Sequence, residues 1–225
     1  MEDLLSYSIS DFLMYSPDVY YRLLGRYNDA VWPMHYAAFA LSIAAAWTIY
    51  WPRRWSGPLV GLCVALGWGW TAAVYFFYGF YATISWAAPY FAALFMLEAV
   101  LLVGVGFAGK LVFEERPRNL KLVGMVLFLL VLFLAPWSSI FEGRALGQDE
   151  MVWLTPDATA MATFCLFLAA SKSHWLLYVV PIIWAALNGA LLWAMESPTW
   201  WLMPCFAVLA VSGALYKCYS LHWAR

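Results

Sequence analysis

Charge is what this chain has least of: 11% of its 225 residues are charged, and from Arg54 to Glu98 it runs 43 residues without Asp, Glu, Lys or Arg. A bilayer core of about 30 Å is crossed by roughly 20 apolar helical residues, so such stretches exclude a soluble domain and point to a polytopic membrane protein. Histidine and cysteine are also scarce. Cys63, Cys165, Cys205 and Cys218 form no CxxC or zinc spacing, and three of them fall in hydrophobic stretches as small apolar packing residues. HExxH, GxSxG, a P-loop and paired histidines are absent, which argues against a hydrolase or redox enzyme; no cofactor and no metal is expected. His35 stands at the opposite surface from His174 and His222, which disfavours a haem held by two histidines. Lys217, at the end of the last helix and without a nearby aspartate, disfavours a retinal site. A net charge of −1 gives no reason to expect nucleic-acid binding. Met1-Glu2-Asp3-Leu4-Leu5 lacks the basic start of a secretory leader, so the first span is expected to direct insertion itself.

What the chain does have is apolar surface, 65% of residues, and aromatic rings, 20%. Apolar runs between charges and Pro/Gly punctuation predict an all-α, polytopic bundle of seven transmembrane helices near 30–51, 57–79, 83–108, 120–139, 155–171, 174–195 and 198–217. The fifth is short, with 14 uncharged residues between Asp157 and Lys172, and is expected to lean on snorkelling by Lys172 and on Trp153 and Trp175 as interface anchors. Residues 1–28 form an N-terminal interfacial segment and 29–225 the transmembrane domain. Within the former, Ser16-Pro17-Asp18 reads as a helix start with serine at the N-cap. Val19, Leu23, Leu24 and Tyr27 share one face of the helix that follows, expected over 17–27, which either lies on the outer membrane surface or caps the bundle.

Seven crossings divide the basic residues unevenly. Arg22, Arg26 and Arg144 fall on the N-terminal side; Arg53, Arg54, Lys110, Arg116, Arg118, Lys121, Lys172, Lys217 and Arg225 fall on the other. The positive-inside bias then puts the N-terminus outside and the C-terminus in the cytoplasm of a bacterial inner membrane. Arg116, Arg118 and Lys121 are expected to touch anionic lipid head groups. The Trp86-x-x-Pro89 and Trp201-x-x-Pro204 stretches permit a 3+1+3 repeat.

Polar groups inside the spans are few. Glu98 is the one carboxylate well inside a predicted helix; at the bilayer centre such a group faces a cavity, pairs or stays protonated. It serves either as a proton-coupling group or as a neutral acid bonding a neighbouring helix. Thr71, Tyr75 and Asn188 lie at similar depth, and Trp70 and Trp184 are deeper than an interface belt needs. Such rings either fill space between helices or hold a lipophilic cation beside the carboxylate. On the outer side, His35 and Asp157 are candidates for a sensor or enzyme site. Glu142, Asp149 and Glu150, in the outer loop 140–154, form a weak cation-attracting cluster.

The stretches Arg26-Tyr-Asn-Asp-Ala-Val-Trp-Pro33, Gly67-Trp-Gly-Trp70 leading to Tyr75, Phe91 to Glu98, and Val180-Pro-Ile-Ile-Trp184 resemble, over nearly the whole chain, an uncharacterised family of bacterial multi-pass membrane proteins. The resemblance implies membership without a mechanism, although relatives are sometimes labelled permeases. This chain has Thr155-Pro156-Asp157 where relatives show Cys-Pro-Thr, and Phe76 where many show histidine, so no metal or haem role carries over to those positions. Two functions compete: a small transporter or permease with Glu98 as its protonatable group, and a non-catalytic subunit or scaffold docking a membrane protein partner or a second copy. A hydrated pocket around Glu98 favours the first; a filled interior favours the second.

Overall fold

The computed structural model describes residues 15–78, 80–114 and 118–223. Among them the elements are helical: α1 (Pro17–Ala30), α2 (Met34–Tyr50), α3 (Ser56–Trp70), α4 (Ala88–Phe107), α5 (Arg118–Leu134), α6 (Ser138–Phe141), α7 (Pro156–Ala169), α8 (Leu176–Ala194) and α9 (Leu202–Trp223). Beyond Trp70, α3 continues as a π-helical segment, Thr71–Phe77, where Tyr78 N–H donates to the Ala73 carbonyl five residues back at 2.8 Å. Five runs are long and apolar enough to cross a membrane: Ser56–Thr83, Ala88–Phe107, Arg118–Phe141, Leu176–Ala194 and Leu202–Ser220. The other two expected spans are the 17-residue α2 and the 14-residue α7. On α5, Leu122, Val126, Leu129 and Phe133 form an exposed apolar stripe at helical spacing, the arrangement that a hydrocarbon solvent favours and water penalises.

The connections gather at two ends of the bundle. At one end Asn28 Nδ2 donates to the carbonyls of Gly147 (2.8 Å) and Asp149 (2.9 Å), Tyr15 and Tyr81 share a hydroxyl bond, and Thr199 Oγ1 donates to Glu142 Oε1 (2.7 Å). At the other, a backbone bridge joins Val112 to Lys172, and Lys121 Nζ reaches the Tyr50 carbonyl at 3.5 Å. Helix α1 starts at Pro17 as expected, but the Ser16 hydroxyl makes no capping bond. Its apolar face is not laid on a membrane surface either: Tyr20, Leu23, Leu24 and Tyr27 are buried against the bundle end. Cys63 and Cys165 pack inside as expected, whereas Cys205 and Cys218 are exposed.

Helix α7 is the centre of the fold. It packs on α3, α5, α8 and α9, and every one of its residues except Met161 is buried. At about 21 Å it is too short to span hydrocarbon unaided. Being wrapped by protein, it has no need to. The expected anchoring by Trp153 is therefore overturned: Trp153 is buried, with φ 68°, and its indole N–H donates to Ser42 Oγ at 2.7 Å. Gly67 makes room for it, since a Cβ there would stand 2.5 Å from Trp153 Cε3. Trp175 and Lys172 are exposed, as anchoring requires.

The last carbonyls of a helix lack intrahelical partners. At the C-terminal end of α7 this deficit is met by Lys217 of α9, whose buried ammonium donates to the carbonyls of Phe167 (3.0 Å), Leu168 (2.9 Å) and Ala170 (2.6 Å). The position also places a cation at the negative end of the helix dipole. Lys217 is thus a cap for α7 and not merely a surface charge at the end of the last helix. Replacing it with methionine keeps the stem and orphans three carbonyls, so Lys217→Met is expected to lower stability by about 2–3 kcal/mol, read as a fall in the thermal unfolding midpoint of the purified protein.

Close approach between α5 and α7 depends on Gly124, where a Cβ would meet Ala169 N at 2.5 Å and Cys165 O at 2.6 Å, both of them backbone atoms that cannot swing aside. Gly104 in α4 has nothing within 4 Å of such a Cβ. Gly124→Ala is expected to destabilise by about 1–3 kcal/mol. By the same unfolding measurement Gly104→Ala is expected to be neutral or to stabilise by up to about 1 kcal/mol.

Candidate functional site

Residues expected to surround Glu98 are divided by the structure. Glu98 lies on the face of α4 that carries Phe95 and Leu102, is fully buried, and finds no hydrogen-bond partner for either carboxyl oxygen among the described residues. Thr71 turns its hydroxyl back to the Gly67 carbonyl (2.9 Å), and the Tyr75 hydroxyl is buried without a hydrogen-bond partner among the described residues. Trp70 Nε1 donates to Tyr27 OH (2.8 Å), which donates to the Leu154 carbonyl (2.7 Å), tying α3 to α1 and to the chain before α7. His35 sits beside Trp32, ring centroids 5.6 Å apart, with Nδ1 buried and without a hydrogen-bond partner among the described residues. Phe76, Phe91, Phe95 and Trp184 fill the space between the π-helical segment, α4 and α8 with edge-to-face ring contacts.

Trp184 and Asn188 instead converge on Asp157. Four residues apart, they share a face of α8, and Trp184 Nε1 donates to Asp157 Oδ1 at 3.0 Å while Asn188 Nδ2 donates to Oδ2 at 2.7 Å. Asp157 is in the first turn of α7, where the exposed N–H dipoles favour a carboxylate, and it is only 6% exposed. Pro156 at the first helical position and the extended Thr155 before it set that start.

Asp157 and Met161, one helical turn apart, form part of the wall of a cavity of about 400 Å³. Leu127, Leu130 and Val131 of α5 and Met203 and Phe206 of α9 make its apolar sides; Tyr20, Tyr21, Glu142, Arg144, Glu150 and Thr199 make its polar end. Arg144 is already engaged: its Nε lies 3.2 Å from Glu142 Oε2, its guanidinium stands 4.0 Å over the Tyr21 ring, and it donates to the Gln148 carbonyl. Glu150 accepts from Thr155 Oγ1 at 2.5 Å. Burial pushes the Glu150 carboxyl above the usual carboxylate range, with the Thr155 bond and the Arg144 charge pulling the other way. Burial likewise pushes the Tyr21 hydroxyl up to about 12.

The acids of loop 140–154, expected to act as one cation-attracting group, have three separate tasks. Asp149 is buried and holds the loop backbone, accepting from Ser139 N (2.8 Å) and Gly147 N (3.2 Å). Glu142 is satisfied by Arg144 and Thr199, and Glu150 faces the cavity. Among the described residues no three His, Cys, Asp or Glu side chains converge closely enough to hold a metal ion. A second cavity, of about 610 Å³, lies between α1 and the α3–α4 turn, with Arg22 and Arg26 on its wall. Glu98 lines neither.

The chain belongs to a family of unknown function, DUF6064, whose model matches residues 17–223. No curated protein matches it, and no solved structure does.

Of the cavity's carboxylates, Asp157 was legible as an outer-side candidate; Glu142 and Glu150 read only as loop charge, and nothing in their spacing brings Tyr20, Tyr21 or Thr199 to them. Accessibility distinguishes the two carboxylate environments. In a cysteine-free background, Met161→Cys is expected to react with a small methanethiosulfonate reagent, and a cysteine in place of Glu98 is expected to stay unlabelled, as read by mass spectrometry of the intact protein.

Proposed function

We propose that this chain is a seven-pass protein of the bacterial cytoplasmic membrane, with its N-terminus outside, that works as a small transporter or permease through the cavity at Asp157. The observation that carries the reading is a buried carboxylate, held by two donors from α8, on the wall of a cavity of about 400 Å³. Binding sites of membrane carriers combine such a polar point with apolar walls near the bilayer midplane. The shortness of α7 supports this depth, because its N-terminal end stops inside the bundle and the chain before it, Val152 to Leu154, is buried in protein.

The distribution of basic residues supports the orientation. Arg53, Arg54, Lys110, Arg118, Lys121 and Lys172 belong to one end of the bundle, and Arg22, Arg26 and Arg144 to the other; Arg116 and Arg225 lie outside the described residues. Arg118 and Lys121 at the cytoplasmic end would meet anionic lipid head groups. Glu98, fully buried and without a hydrogen-bond partner among the described residues, is a second protonatable group on this reading, apart from the substrate cavity.

In proteoliposomes, Asp157→Asn is expected to abolish solute-coupled proton movement while Glu98→Gln reduces coupling and leaves solute binding intact. Normal uptake by Asp157→Asn would remove the reading. Terminal tags are expected on opposite faces of spheroplasts; both on one face would remove the seven-pass arrangement.

The ring-filled packing around Glu98 favours a second reading, a non-catalytic subunit that docks a membrane protein partner or a second copy. A fixed partner in native membranes, with no transport by the isolated chain, would support it.

A further inference from the structure

We propose that the cavity between α5, α7 and α9 takes a lipophilic primary amine in its protonated form, entering from the hydrocarbon phase with its ammonium at Asp157 and Glu150 and its tail between α5 and α9. This names the substrate class of the transport reading above and rests on it.

Charge selects the head group. Among the described residues the cavity wall carries Glu142, Glu150, Asp157 and a single cation, Arg144, which Glu142, the Tyr21 ring and the Gln148 carbonyl already occupy. What remains toward the cavity is the acceptor capacity of Glu150 and Asp157. Each Asp157 oxygen accepts one bond, from Trp184 or Asn188, and a carboxylate oxygen has room for two. An ammonium brings three donors and no acceptor, so it meets those lone pairs without a mismatch. A carboxylate or phosphate would face like charge. Among the described residues no three such side chains are grouped to hold a metal ion, which suits an organic cation with several N–H bonds better than a bare metal ion.

The walls select the tail. Leu127, Val131, Met203 and Phe206 present hydrocarbon along the cavity, and the Tyr20 and Tyr21 rings near the polar end offer faces that favour a cation. Leu130 and Leu134 line the same space yet are exposed on the bundle surface. The mouth is therefore apolar and lies on the flank of α5, so a ligand partitioned into lipid reaches it without crossing water.

The test uses the full-length protein in lipid nanodiscs and four probes with the same chain: octylammonium, octyltrimethylammonium, octanol and octanoate. Binding is read from thermal stabilisation and from tryptophan fluorescence, to which Trp184 beside Asp157 contributes. Octylammonium is expected to bind most tightly, with the trimethyl analogue weaker because it has no N–H to donate. Asp157→Asn and Glu150→Gln are each expected to weaken octylammonium by about tenfold or more, the loss of one charge-assisted bond. Leu130→Trp, which fills the mouth from an exposed position and leaves the carboxylates intact, is expected to weaken all four. Octanol or octanoate binding as tightly as octylammonium would overturn the proposal, as would unchanged octylammonium affinity in both carboxylate variants. Asp157-dependent transport without octylammonium binding would sink this inference and leave the transport reading standing. Octylammonium binding that depends on Asp157, in a chain that moves nothing across proteoliposomes, would sustain the site and remove the transport reading.

Discussion

Everything in this bundle is arranged around a short helix that touches almost nothing but protein. Helix α7 is about two-thirds the length that a bilayer core demands, and a helix end inside hydrocarbon is tolerable only when its orphan backbone groups are answered. At the C-terminal end the Lys217 ammonium answers three carbonyls, and at the N-terminal end the Asp157 carboxyl, bonded by Trp184 and Asn188, sits where the helix dipole favours an acid. The surrounding helices supply the partners that keep those groups from being isolated. Without them, two buried polar groups would be left unpaired, at a cost in stability.

Polar satisfaction elsewhere in the interior is delegated to indole N–H groups. Trp68 donates to Thr163 Oγ1 at 2.9 Å, Trp153 to Ser42, Trp70 to Tyr27 and Trp184 to Asp157. A tryptophan ring buries a large apolar area and brings one donor with no acceptor. It is therefore well suited to a medium in which acceptors are plentiful and water is absent. Four of the 15 tryptophans do this work, whereas ten others are exposed on the bundle surface.

The helices were legible because the spacing of charges and of proline sets where a chain can lie in hydrocarbon, and α3, α4, α5, α8 and α9 fall close to the apolar runs that announce them. Facing was not legible. Hydropathy cannot tell a side chain turned to lipid from one turned to a neighbouring helix, so Trp153 read as an anchor and Lys217 as a basic residue at a cytoplasmic helix end. The fifth apolar run was recognisably short, but its remedy, enclosure by four other helices, is a tertiary fact. For the same reason Glu98 stood out in the sequence while the cavity did not: a lone acid in an apolar run is visible by inspection, whereas Glu142, Glu150 and Asp157 meet Tyr20, Tyr21 and Thr199 only through contacts across the chain. Gly124 and Gly67 likewise gave no hint of which backbone or ring needs their missing Cβ.

Helix α9 holds α7 from both directions. Its first turns, at Leu202, Met203 and Phe206, wall the cavity beside Asp157, and its later turns deliver the Lys217 ammonium to the opposite end of α7. Tilting α9 about its middle would widen one of these junctions as it strains the other. The two extremities of the central rod are in this way both seated on one partner helix, so a single element sets the position of each.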